Sequence, residues 1–240
     1  MAHWRHQTPH SDSVVGERVK GRAVSVNGGV GAAADEWVSA TKSALEAAGV
    51  PDPAALLQRL LPVVPAGYDE LNWPNSAAID LPIVDRLLAA GAGVSTSMMH
   101  FTEASASEWR FRVYRVGAAV PLSDLLPLLD QLGMRAIDER AFSFGSDPAT
   151  KVWVHDVGVE VPGGDLTDDI RQEAQRTFLA ALGGTIEVDG FNRLVALGGL
   201  TARQVEVVRA YARYLRQIGF PFSQQVRLAR VVGAMQRGRA

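Results

Sequence analysis

Hydrophobic and polar positions along this chain change their period twice, and the changes divide it. From Asp35 the run D-E-W-V-S-A-T-K-S-A-L-E-A-A-G puts acids in a first helical turn and Gly49 just past a last one, as a helix dipole and a left-handed cap favour. P-D-P-A-A-L-L-Q-R-L-L predicts a second, short helix, with Asp52 as N-cap and Pro53 at the first helical position. With S-A-A-I-D-L-P-I-V-D-R-L-L at 76–88, residues 35–92 read as a helical connector.

Between Gly93 and Val161 the period falls toward two. V-S-T-S-M-M-H-F and W-R-F-R-V-Y-R-V are the first predicted strands. In the second, Trp109, Phe111, Val113 and Arg115 share one face while Arg110, Arg112 and Tyr114 take the other, which predicts a sheet covered on one side only. Ser123 is expected to cap a helix whose apolar side is Leu125, Leu126, Leu128, Leu129 and Leu132, with Gly133 as its C-cap. Strands M-R-A-I-D-E-R-A-F-S-F and K-V-W-V-H-D-V-G-V-E-V follow, joined by G-S-D-P, and a helix over about 167–182 closes the unit. The expected class is therefore α+β: an antiparallel sheet with packed helices over 93–182, in the order β-β-α-β-β-α, flanked by helical segments.

From Gly183 the period returns to that of a helix. Over 201–218 the residues Val205, Val208, Tyr211, Ala212, Leu215 and Ile218 are expected to form a buried stripe, with Thr201 as N-cap. Arg209, Arg213 and Arg216 form a row beside it, and Gly219 and Pro221 stop the helix. Residues 1–34 show neither period and read as a disordered tail.

The chain has 240 residues, 47% hydrophobic and 21% charged, which is ordinary globular composition. It has no cysteine, which excludes disulfides and thiolate metal sites. No apolar run approaches the roughly 20 residues that span a bilayer, and the N-terminus lacks an apolar signal core, so a cytoplasmic protein with no membrane partner is the expectation. Residues 201–240 carry eight Arg, no Lys and one acid, Glu206, so this end is strongly basic while the remainder is acidic. Either nucleic acid or an acidic surface of the same assembly would match it, and we take the assembly as the expectation.

Several patterns suggest chemistry. Gly29, Gly31 and Ala34 match G-x-G-x-x-A, but a dinucleotide site needs a following βαβ unit and the next predicted segments are helices. His3, His6 and His10 lack an acidic ligand and a rigid support. His155 and Asp156, adjacent on a strand, point to opposite faces. Asp189, Asn192 and Arg193 either hold a small amino acid, with Arg193 forking its carboxylate, or cap and staple helices, and the structural option is the expectation. The Arg row at 209, 213 and 216 would serve phosphate contacts or an electrostatic contact within an assembly; no nucleic-acid motif surrounds it. The expected catalytic, cofactor-binding and metal residues are therefore none.

Two blocks add a resemblance. E-V-D-G-F-N-R-L-V-A-L-G-G-L-T-A-R at 187–203, followed by R-A-Y-A-R-Y-L-R-Q-I-G-F-P-F-S-Q, resembles a signature of the large NAD-specific glutamate dehydrogenases. R-F-R-V-Y-R-V-G-A-A-V-P-L-S-D-L-L-P-L-L-D-Q-L-G-M-R-A-I-D-E-R at 110–140 resembles the ACT-type segment that precedes it in that family. The resemblance implies that 93–182 is an ACT-like unit and 183–240 a helical segment with a basic end. It further implies an intact enzyme that converts L-glutamate, NAD and water to 2-oxoglutarate, ammonia and NADH. A regular ACT unit runs β-α-β-β-α-β, so the order here requires a rearrangement or a borrowed strand. No Lys occurs after Lys151 and no catalytic constellation is evident; NAD is thus expected for the intact enzyme and no cofactor for this chain. The expected role is a non-catalytic scaffold or regulatory fragment, inactive alone. Its implied partners are the downstream dehydrogenase domain, other subunits of a homo-oligomer and an amino-acid effector. The alternative is a free-standing ACT-like module that senses an amino acid or binds a protein.

Overall fold

The computed structural model describes residues 30–101, 104–163 and 166–219. The histidine cluster at 3, 6 and 10, Gly29, and the basic end beyond Gly219 lie outside the described residues.

Helix α1 spans Val30–Ala47, beginning ahead of the expected start at Asp35 and taking Gly31 and Ala34 into its first turns. Helix α2, Pro53–Leu60, starts on Asp52, whose carboxylate accepts from the Ala55 N–H at 3.1 Å. Helix α3 is the single turn Tyr68–Leu71, and α4 runs Pro74–Ala90 to the left-handed Gly91. Strands β1 (Val94–Met99) and β2 (Glu108–Val116) lead into α5 (Leu122–Gln131), strands β3 (Arg135–Phe144) and β4 (Val152–Glu160), and α6 (Asp168–Leu182). Helices α7 (Arg193–Ala196) and α8 (Ala202–Gln217) complete the described part.

The four strands form one antiparallel sheet in the order β1-β2-β4-β3. Strands β2 and β3 run parallel without touching, because both pair antiparallel with β4 between them; with the α5 crossover they form a split βαβ. Helix α6 packs on β1, and Arg171 Nη1 donates to the Met98 carbonyl at 3.2 Å. Thus β1 fills, from the N-terminal side, the place beside β2 that a strand following α6 would take in β-α-β-β-α-β. The expected rearrangement is this one.

One expectation needs correcting. The alternation in β2 predicts a sheet covered on one side, yet Phe111 and Val113 on one face and Arg112 and Tyr114 on the other are all buried. Helices α5 to α8 cover the first face, with Leu125, Leu129, Phe178, Leu194 and Val205 against Phe111, Val113 and Val157. Helices α1, α2 and α4 cover the second, packing Leu45, Leu60, Leu81 and Val84 against Phe142, Phe144 and Val154. The polar residues of β2 mark a second buried face because α4 brings acceptors to meet them.

Two smaller corrections concern α5 and α8. Helix α5 begins at Leu122 with no side-chain cap, so Ser123 lies inside it; Gly133 takes φ 83° just past its end, as expected. In α8 the buried positions are Val205 and Arg209, flanked by half-buried Val208, Ala212 and Leu215, while Tyr211 and Ile218 are 68% and 58% exposed. At about 100° per residue, 205, 209 and 212 lie within a narrow arc and 211 and 218 fall well outside it.

Candidate functional site

Asp189 and Asn192 close a capping box on one turn: Asp189 Oδ1 accepts from the Phe191 N–H and Asn192 Oδ1 from the Asp189 N–H, both at 2.9 Å. The outer oxygens of that box receive Arg209. Its Nε donates to Asp189 Oδ2 at 2.9 Å, and its Nη2 reaches Asp189 Oδ1 at 3.0 Å, Asn192 Oδ1 at 3.1 Å and the Glu187 carbonyl at 3.3 Å. Arg209 is only 5% exposed, so it belongs to the buried arc of α8 rather than to a surface row. Arg213 pairs with Glu187 at the surface. Arg216 makes no ion pair among the described residues. Arg193 stands apart from this cluster and binds Asp130 at the end of α5, Nη2 to Oδ2 at 2.8 Å.

Sequence reasoning missed a second polar cluster on the α4 face of the sheet. Asp80, wholly buried in α4, accepts from Tyr68, from Arg112 and, at 2.5 Å, from Tyr114. The other Arg112 amine donates to Asn72 Oδ1 at 2.7 Å and to Asp156 Oδ2 at 3.1 Å. Arg110 Nε donates to Asp156 Oδ1 at 2.8 Å, and its Nη1 bridges to Asp138 at 2.6 Å. Gly158 leaves room for that bridge, since a Cβ there would lie 2.8 Å from Arg110 Nη1. Five elements, α3, α4 and strands β2 to β4, thus converge on two guanidinium groups. An acid amid the apolar A-A-I-D-L-P-I-V of α4 was the available signal, because a lone carboxylate on a buried face needs a cationic or hydroxyl partner.

The electrostatics follow from burial and pairing. Burial alone would lower the Arg112 pKa, but Asp80 and Asp156 more than reverse this and hold it above its ordinary value. Burial raises the Asp156 pKa, while Arg112 and Arg110 outweigh it and bring the carboxyl below its usual range. For Tyr68 and Tyr114, burial and then the neighbouring Asp80 push both phenols well above their ordinary value.

On the opposite face, His155 and Asp156 point apart. The Val120 N–H donates to His155 Nε2 at 3.1 Å, leaving Nδ1 to donate to Glu139 at 2.9 Å. This fixes one tautomer and ties the start of α5 to the sheet.

Beside the Arg112 cluster lies an open cleft of about 520 Å³, between the N-terminal end of α4 and the uncovered half of the sheet. Leu71, Trp73 and Ile79 form one wall; Arg110, Arg112 and Arg140 form the other. Among the described residues no three or more His, Asp or Glu side chains are placed to hold a metal ion, and no helix is long and apolar enough to cross a membrane.

Comparison with known proteins bears on both halves of the fold. Residues 94–172 match the family model described as glutamate dehydrogenase, ACT3 domain, and residues 186–233 match glutamate dehydrogenase, helical motif 3. The NAD-specific glutamate dehydrogenase of Halomonas elongata is 33% identical over 186 residues, which is 76% of this chain and 11% of that protein. That of Pseudomonas aeruginosa is 34% identical over 66% of this chain and 10% of its own length. The Mycobacterium tuberculosis enzyme is 37% identical over 45% of this chain and 7% of its own length. The chain therefore spans about a tenth of the length of these curated relatives.

Proposed function

From the premise that this chain belongs to the NAD-specific glutamate dehydrogenase family, we propose that it serves as a non-catalytic scaffold and regulatory segment of such an enzyme. In this reading it supports NAD-dependent deamination of L-glutamate by the rest of the assembly, a dehydrogenase domain and neighbouring subunits.

One observation carries the reading. Helix α8 turns Val207, Tyr211, Tyr214 and Ile218, spaced four, three and four residues apart, away from the core, and each is at least half exposed. Four large apolar side chains on one helical stripe favour burial against another protein surface. Meanwhile the inner face of the same helix is anchored by Val205 and by Arg209 on Asp189 and Asn192, so the stripe is held on a rigid base. Its contact is thus apolar.

The test uses the Halomonas elongata dehydrogenase with its matching segment replaced by that of this chain. The chimera is expected to assemble and to reduce NAD with glutamate. Tyr211→Glu with Tyr214→Glu should shift it to smaller species in sedimentation velocity, while the same pair leaves the unfolding midpoint of the isolated chain unchanged. Assembly indifferent to both charges would contradict the reading.

A further inference from the structure

We propose that the cleft between α4 and the sheet is a binding site for a small organic acid, one carboxylate joined to an apolar tail. This goes beyond the scaffold assignment and does not depend on it.

Charge placement is the first argument. Arg112, Asp156 and Arg140 stand in one row across β2, β4 and β3, since Asp156 is the register partner of both arginines. Both Asp156 oxygens are turned to Arg110 and Arg112. Arg140 lines the same cleft, is exposed, and makes no ion pair among the described residues. The row is therefore one carboxylate short at Arg140, and a guanidinium is the side chain best shaped to take a carboxylate in a two-point contact. The N-terminal end of the 17-residue α4, represented in the lining by Trp73, Asn75 and Ser76, adds positive potential to the same space.

The walls supply the second argument. Trp73 is 64% exposed and stands with Leu71 and Ile79, also exposed, at one side of the cleft, with Met99 and Phe101 deeper along the sheet. An indole left in water beside two aliphatic side chains is unfavourable by the area it exposes and is offset when an apolar group covers it. The volume, about 520 Å³, is in the range of small-molecule sites. A charge alone would leave the apolar wall wet, and an apolar molecule alone would leave Arg140 unpaired; the two together define the ligand class.

Titration calorimetry of the full chain tests this with phenylacetate, 4-methylpentanoate and indole-3-acetate as probes, and with phenylacetamide and acetate as controls for charge and tail. At least one tailed acid should bind saturably, at least tenfold more tightly than either control, and more weakly as sodium chloride is added. Arg140→Gln should weaken that binding at least tenfold while the unfolding midpoint stays in place, because Arg140 is exposed and unpaired in the sheet. Trp73→Ala should weaken it as well. The proposal is overturned if none of the three acids saturates at millimolar concentration, if phenylacetamide binds as tightly as phenylacetate, or if Arg140→Gln binds the acids as the unmodified chain does.

Discussion

Asp80 receives donors from α3 and from two positions of β2, and none of them is a neighbour in sequence. Removing one partner of such a buried charge cluster leaves the others uncompensated, so Arg112→Met should cost about 3–5 kcal/mol in urea denaturation. A loss below about 1 kcal/mol would mean that water reaches the carboxylates. The tyrosines give the same cluster a pH signature. Their folded pKa values are raised, so their contribution is complete below the unfolded value of about 10 and is lost as pH climbs from there toward the folded values. Stability should fall above about pH 10, and Tyr114→Phe should flatten that fall. Asp156 acts at the other end: its folded pKa is lowered, so its contribution is present above about pH 4 and is lost as pH drops through the folded value.

At the scale of elements, α8 shows what a helical period conveys and what it omits. Thr201 was legible as an N-cap, and it forms a capping box with Gln204. The period was legible too, but the direction of the core was not, because two apolar arcs compete on this helix and composition favours neither. Arg209 falls on the same buried arc as Val205 and Ala212, and only the acceptors of Asp189 and Asn192, twenty and seventeen residues away, make that position habitable for a guanidinium. Three substitutions separate the arcs by their effect on the denaturation midpoint. Val205→Ala should cost about 1–3 kcal/mol as a buried deletion. Tyr211→Ser should stay within about 0.5 kcal/mol, as surface changes do. Leu215→Ala, half-buried, should fall between them. Strands β2 and β4 were readable because Trp109, Phe111, Val113, Val157 and Val159 keep strict alternation. Their second face was not readable, since its partners lie on α4, 32 or more residues away.

Across the whole molecule, two helical layers are fastened to the sheet by different means. The α1, α2 and α4 layer is held by the apolar packing around Tyr68 and by the Arg112 cluster; the α5 to α8 layer is held by packing around Phe178 and by His155 and Arg193 at its ends. Such fastening suits a part that keeps its shape while other surfaces work. The candidate cleft was out of reach of sequence reasoning because Trp73 and Arg140, 67 positions apart, meet only through the α4 contact with the sheet. The central claim, a supporting rather than a catalytic segment, is tested most directly by following NADH formation from glutamate and NAD. The purified chain at high concentration is measured beside the chimeric dehydrogenase that carries its segment. Turnover by the chimera and none by the chain is the expected result. Glutamate-dependent NADH formation that stays with the isolated chain through successive chromatographic steps would contradict it.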